Sequence, residues 1–346
     1  MSNLKKMKDW KPPDDWIKIT TINAHSAGEP LRIILEGFPE LKGNSILEYR
    51  KYAMKNYDHL RTSLMWEPRG HADMYGCIIT PPVTEADFGV LFLHNEGFST
   101  MCGHAIIATT KVVLETGFLP METPVTEVKI DTPAGLVKSY ATIENNEVIS
   151  VYFHNVPSFV LSMDEVVDVP GLGEIRYDIA FGGAFYAFVQ AHDADVTLTP
   201  KGYRDLIKKG MDIKRAVMEN YTIKHPFEKD LNFLYGTIFI GDPISTSADS
   251  RNVCIFAEGE VDRCPTGTGV SARMALHYKK KEIDIHEPMV IESIIGTRYT
   301  GSVLKTTKFG PYDAVIPQVD GTAHITGRSE FFIDPKDPLR KGFILR

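Results

Sequence analysis

Two stretches lying nearly half the chain apart begin in the same way, and this repetition limits the possible folds more than any other feature of the sequence. Glu96-Gly97 followed by Met101-Cys102-Gly103-His104-Ala105-Ile106-Ile107-Ala108 can be laid beside Glu258-Gly259 followed by Pro265-Thr266-Gly267-Thr268-Gly269-Val270-Ser271-Ala272, with two extra residues in the second loop. Each continues at helical spacing: Ile106, Ile107, Thr110, Val113 and Leu114 in the first, which stops at Gly117, and Val270, Met274 and Leu276 in the second. The second ends in Lys279, Lys280 and Lys281, cations placed where a helix C-terminus favours them. We therefore expect helices over 103–116 and 267–281, the first apolar enough to be buried.

Around them the chain reads as short β-rich runs at 16–22, 31–35, 88–94, 128–131, 147–153, 184–190, 234–240, 253–257 and 289–295. Two more helical regions lie at 45–60, opened by the capping box Ser45-x-x-Glu48, and at 200–221. The expected fold is α/β, with two β-rich halves, each wrapped around a central helix. We place the first domain, carrying Cys102, at 15–150 and the second, carrying Thr266, at 151–327; a tail over 328–346 returns to the first domain.

Such a layout sets two helix N-termini face to face. Their free N–H groups and positive dipole ends form a pocket for a small carboxylate. Gly103, Gly267 and Gly269 would let backbone approach the ligand closely. Cys102, just before the first helix, is expected to have its thiol pKa lowered by the same dipole, making it a poised base or nucleophile. A cysteine hydrolase is disfavoured because Cys102 and His104, two apart, should not face each other on a helix. Gly267-x-Gly269-x-x-Ala272 matches a dinucleotide fingerprint loosely, but it follows its strand too late and lacks a βαβ setting.

Composition narrows the partners. Of 346 residues 43% are hydrophobic and 24% charged, as in soluble globular proteins, and the net charge of -7 offers no basic excess for a phosphate backbone. The polar start lacks a signal-peptide core, and no run approaches the roughly 18 apolar residues of a membrane span. Cys77, Cys102, Cys254 and Cys264 show no C-x-x-C pair, which fits free thiols in a reducing compartment. The expectation is a cytoplasmic protein without nucleic-acid or membrane partners.

A wider set of motifs resembles the proline racemase family: His25-Ser26-Ala27-Gly28-Glu29-Pro30, Glu67-Pro68-Arg69-Gly70-His71 with Met74-Tyr75-Gly76, Met101-Cys102-Gly103-His104, Phe181-Gly182-Gly183, Asp262-Arg263-Cys264-Pro265-Thr266-Gly267-Thr268-Gly269, and Gly296-Thr297. The resemblance implies a diaminopimelate-epimerase-like α/β fold of two pseudo-symmetric domains, each a β-rich barrel-like sheet around a central helix, together with a homodimer, an imino-acid substrate and no cofactor or metal. Racemases of the family use a cysteine at each helix start; here Cys102 fills the first position and Thr266 the second, and Cys264 is a neighbour of the site. That pairing is similar to the branch that dehydrates trans-3-hydroxy-L-proline to Δ1-pyrroline-2-carboxylate with one base. By the same resemblance Gly103, His104, Gly267 and Thr268 would bind the carboxylate through backbone N–H groups, the side chains of His104 and Asp262 would hold the ring nitrogen, and Tyr75 and Phe256 would pack on the ring. Arg69, His71, His25 and Cys77 are assigned to scaffolding. The alternatives are a proline racemase or 4-hydroxyproline 2-epimerase, and a non-catalytic imino-acid binding protein.

Overall fold

The computed structural model describes residues 2–345, so Met1 and Arg346, the last residue of the expected tail, lie outside it. Every expected strand and helix region holds an element of that type, including the central helices Gly103–Glu115 and Gly267–Lys280. The 45–60 region divides at Tyr57 into Ile46–Asn56 and Asp58–Met65, with the Ser45 hydroxyl accepting from the Glu48 N–H at 3.1 Å. The polar start forms a short helix, Ser2–Lys8.

Several strands carry no clear signal in the sequence. Ser158–Val169 is one, because bulges between Val160 and Ser162 and between Ser162 and Glu165 throw its side chains out of strict alternation. Arg298–Phe309 and Tyr312–Gly321 form a long hairpin whose exposed face is rich in Lys and Thr, so apolar residues mark only half of it.

The strand pairings repeat. In the first half Ile17–Ser26, Glu29–Glu36, Tyr75–Thr80, Phe88–His94, Val125–Thr132, Gly135–Glu144 and Glu147–His154 pair in order as antiparallel, parallel, antiparallel, parallel, antiparallel, antiparallel. In the second half Gly173–Phe181, Phe185–Gln190, Leu234–Gly241, Ser250–Phe256, Met289–Glu292, Arg298–Phe309 and Tyr312–Gly321 follow the same order of directions. Each parallel step needs a crossover, and helices supply it: Ile46–Asn56 with Asp58–Met65, and Gly103–Glu115, in one half; Tyr203–Asn220 and Gly267–Lys280 in the other. The fold is thus α/β, a β-rich, barrel-like sheet repeated around two central helices.

Closure of the two barrels is shared. Ser158–Val169 flanks Gly173–Phe181 and receives Ala314 and Val315 on its other side, closing the second ring. Further along the same strand, Gln318–Gly321 pairs with Val151–His154, and the chain continues as Ala323–Ile333 along Ile17–Ser26. Residues 312–333 therefore serve both barrels. Beyond them, the Phe343 N–H donates to the Glu67 carbonyl and Ser63 Oγ donates to the Arg340 carbonyl, so the last residues lie on the first half.

Both central helices run through apolar interior. Ile106, Ile107 and Val113 of the first and Val270, Met274 and Leu276 of the second belong to one continuous core. A buried apolar helix has no water to satisfy its first N–H groups, so whatever faces its N-terminus matters. In both cases that is the other helix.

Candidate active site

The two helix starts abut backbone to backbone. A Cβ added to Gly103 would lie 2.7 Å from the Gly267 Cα, and one added to Gly267 would lie 2.8 Å from the Gly103 Cα. These glycines are thus required by helix-to-helix approach, a role distinct from the ligand contact expected from the sequence; the Cβ of Gly269 would instead strike Ile238. The first intrahelical bonds run from the Ile106 N–H to the Cys102 carbonyl and from the Val270 N–H to the Thr266 carbonyl. The amides at 103–105 and 267–269 precede them, so two sets of helix-start N–H groups converge on one small volume.

Cys102 and Thr266 cap these helices and are both buried. Cys102 is extended, with φ -149° and ψ 107°. This brings its Sγ to 3.2 Å from His104 Nδ1, contrary to the expectation that the two side chains cannot meet. The i, i+2 rule applies to helical residues, and an N-cap is not one. Thr266 sits at φ 67°, a left-handed conformation rarely tolerated by a β-branched residue, and its hydroxyl donates to the Asp262 carboxylate.

Burial sets the electrostatics. The Cys102 thiol is pushed well above its usual range by desolvation and, further, by the charges of Asp262 and Glu29, while the Ala105 amide pulls it the other way. The lowering expected from the dipole is thus outweighed by burial. Desolvation drives His104 down to about 3, so its imidazole is neutral beside the thiol. Asp262 is raised to about 7, mainly by burial, against the downward pull of the Thr266 hydrogen bond and Arg263. Glu29 is raised as well; its Oε2 accepts the Arg263 N–H at 2.5 Å, and the Arg263 guanidinium pairs with Asp73 at 2.8 Å.

The remaining expected residues gather at the same point. His104, Asp262 and Cys264 place one donor atom each within 4.8 Å of one another, a set from both halves that suits an ammonium and has the ligand types of a metal site. Cys264 Sγ accepts the Thr266 N–H at 3.3 Å. Tyr75 stands edge-on to His104 with centroids 4.8 Å apart, and Phe256 lies 6.5 Å from Tyr75. The Thr268 hydroxyl shares a 2.7 Å hydrogen bond with Tyr186. Arg69 donates to the Phe332 carbonyl and pairs with Asp337, and His71 is turned to the Ala72 carbonyl at the surface.

Several residues of the site were not reached by sequence reasoning. Ser99 bonds the Tyr75 hydroxyl, His94 stacks on Tyr75 at 5.4 Å and pairs with Glu260 at 2.9 Å, and Tyr235 stacks on Phe256 at 5.3 Å. Glu29 was visible as part of a motif, but its partner across the cleft was not. Tyr186 and Tyr235 sit in ordinary strand patterns and carry no local signal. A cavity of about 380 Å³, lined by Ser99, Thr100, Met101, His94 and Tyr235 among others, opens between the two halves beside this cluster.

A family model described as proline racemase matches residues 21–344. Among curated proteins, the chain is 48% identical over 345 residues to a trans-3-hydroxy-L-proline dehydratase of Colwellia psychrerythraea, covering 99% of this chain and 97% of that one. It is 43% identical over 335 residues to the human protein of the same name, covering 95% of each. Among solved structures, it is similar to a hydroxyproline epimerase from Agrobacterium vitis with bound trans-4-hydroxy-L-proline, at 29% identity, a TM-score of 0.88 and 96% coverage of each chain. A probable proline racemase from Agrobacterium radiobacter superposes with a TM-score of 0.89 at 28% identity, covering 94% of this chain and 96% of that one.

Proposed function

The chain belongs to the proline racemase family, and from this premise we propose that it is a hydro-lyase converting trans-3-hydroxy-L-proline to Δ1-pyrroline-2-carboxylate. The observation that carries the reading is the unequal pair of caps: a thiol at Cys102 and, on the abutting helix, an alcohol at Thr266 whose proton is held by Asp262. Racemisation needs a second group that can deliver a proton to the opposite face. Elimination needs one base.

The substrate carboxylate lies against the N–H groups of Gly103, His104, Gly267 and Thr268, where both helix dipoles favour an anion. Its ring nitrogen takes the side chains of His104 and Asp262, and Tyr75 and Phe256 cover the ring. Burial holds the Cys102 thiol well above its usual range. The cationic nitrogen of the substrate offsets the nearby carboxylates, and the thiolate becomes accessible when there is a proton to remove. Cys102 takes the Cα proton, the 3-hydroxyl departs from the adjacent carbon, and the ring enamine tautomerises to the imine. Protons and electrons balance within substrate and water, so the reaction as written calls for no cofactor. By family resemblance the reading extends to a cytoplasmic homodimer and to two domains divided near residue 150.

The test is side-by-side incubation with trans-3-hydroxy-L-proline, trans-4-hydroxy-L-proline and L-proline. Imine from the first alone supports the assignment, while inversion of the other two at a comparable rate replaces it with an epimerase. Thr266→Cys sharpens the contrast: it supplies the missing acid and removes the branched Cβ from a left-handed backbone. Epimerisation of trans-4-hydroxy-L-proline should then rise at least about tenfold above the parent, roughly 1.4 kcal/mol in transition-state terms. An unchanged rate, read by chiral chromatography, would count against the single-base reading.

The pH profile gives a third check. Asp262 must be ionised to hold an ammonium, and its carboxyl is raised to about 7, so kcat/KM should fall as pH drops through that value. Asp262→Asn should lower activity and abolish this limb; a limb that survives the substitution belongs to another group.

A further inference from the structure

The dehydration leaves one role unfilled, the acid that turns the departing hydroxyl into water. Hydroxide is a poor leaving group, and general-acid assistance is worth roughly 10²–10⁴-fold. In the trans substrate the Cα hydrogen and the 3-hydroxyl share one face of the ring. The acid therefore belongs on the wall that carries Cys102, which disfavours Asp262 and Thr266 on the other helix start.

Tyr75 stands on that wall. Its ring meets His104 edge-on at 4.8 Å, and His104 Nδ1 is 3.2 Å from the Cys102 sulfur. The phenol hydroxyl is fixed by Ser99 Oγ, three residues before Cys102 on the same loop. Phenylalanine would fill the same space if packing were the whole purpose; a buried hydroxyl bonded to a buried serine costs desolvation without adding apolar contact. Ser99 also lines the cavity between the two halves, which gives newly formed water a way out.

We propose that the Tyr75 phenol is the general acid of the elimination and that Ser99 is its positioning residue, an assignment that rests on the dehydratase reading above. Cys102 thiolate takes the Cα proton. The C–H electron pair becomes the ring double bond, and the C3–O bond breaks with its pair on oxygen. Tyr75 gives that oxygen its proton, and water forms. The Cys102 thiol then returns its proton to the tyrosinate, which the Ser99 hydroxyl has stabilised meanwhile, and both residues are reset. Burial holds the phenol well above its usual range, so it stays protonated until hydroxide demands the proton.

The experiment compares two leaving groups in the full-length enzyme. With trans-3-hydroxy-L-proline, Tyr75→Phe should lower kcat by about 10²-fold. With trans-3-fluoro-L-proline, whose fluoride departs without a proton, the same variant should remain within about threefold of the parent, because the base is untouched and the phenylalanine ring still covers the substrate. Ser99→Ala should show a smaller loss with the same sparing of fluoride, and it covers the case of a poorly folded Tyr75→Phe. Equal losses on both substrates would make Tyr75 a packing residue and overturn the proposal. Unimpaired dehydration in Tyr75→Phe would return the acid role to the Cys102 thiol and also overturn it. Absence of imine from the parent enzyme is separately recognisable as failure of the dehydratase reading itself.

Discussion

Cys102→Ser is expected to cut imine formation by about a thousandfold or more, roughly 4 kcal/mol of lost transition-state stabilisation. The change replaces one buried atom and leaves the N-cap geometry in place, so the thermal midpoint should stay near that of the parent. What is lost is acidity. A thiol in this pocket is already pushed up by burial, and an alcohol in the same pocket lies far beyond reach of any compensation the substrate nitrogen brings. Incorporation of deuterium from solvent at Cα should disappear in parallel. Exchange that persists at the parental rate would mean that another group removes the proton, and Cys102 would lose its role.

A methyl group on either glycine at the helix starts should be nearly as damaging for a different reason. In Gly103→Ala the new Cβ would meet the Gly267 Cα at 2.7 Å and its carbonyl carbon at 3.1 Å. Carbon atoms rest comfortably at roughly 3.5–4.0 Å, so the helices would have to part by up to about 1 Å. No rotamer change relieves the clash, because the obstacle is backbone. Overpacking of this kind costs about 1–3 kcal/mol, and in a chain of this size that is a fall in thermal midpoint of roughly 2–8 °C. Activity should suffer more, since a displacement of about 1 Å at a reacting centre costs about a hundredfold. Gly97→Ala is the control: it lies in the same loop region, a Cβ there meets nothing within 4 Å, and it should behave like the parent. If Gly103→Ala were equally benign, the two helix starts would not be in the contact described here.

The duplication and the paired helix starts were legible because their signals are local: a repeated order of Gly, small and apolar residues at fixed spacing, and caps that a sequence displays directly. Strands with uninterrupted apolar runs, such as Phe88–His94, were legible for the same reason. Ser158–Val169 was not, because its bulges scramble the period on which recognition depends. At the site, cap residues and motif residues could be named from spacing and family resemblance, but their mutual geometry could not. Whether Cys102 faces His104 depends on the cap's φ and ψ. Whether its thiol pKa is lowered or raised depends on how completely the second half covers it, a tertiary quantity that no run of residues encodes. Ser99, Tyr186 and Tyr235 join the site through contacts across the cleft or the loop and were silent for the same reason.

The two successive strands Tyr312–Gly321 and Ala323–Ile333 have a consequence for how the protein is made. Ile17–Ser26 leaves the ribosome before every other described strand and finds one of its two neighbours in Ala323–Ile333, which follows all the others. Until then the amino-terminal barrel is a wall with a gap, exposing an unpaired edge throughout synthesis of the remainder. The carboxy-terminal barrel takes all eight of its strands from a continuous stretch and waits for nothing upstream. The half that is translated first is thus the half that is finished last, and a chain truncated before residue 312 leaves both barrels open.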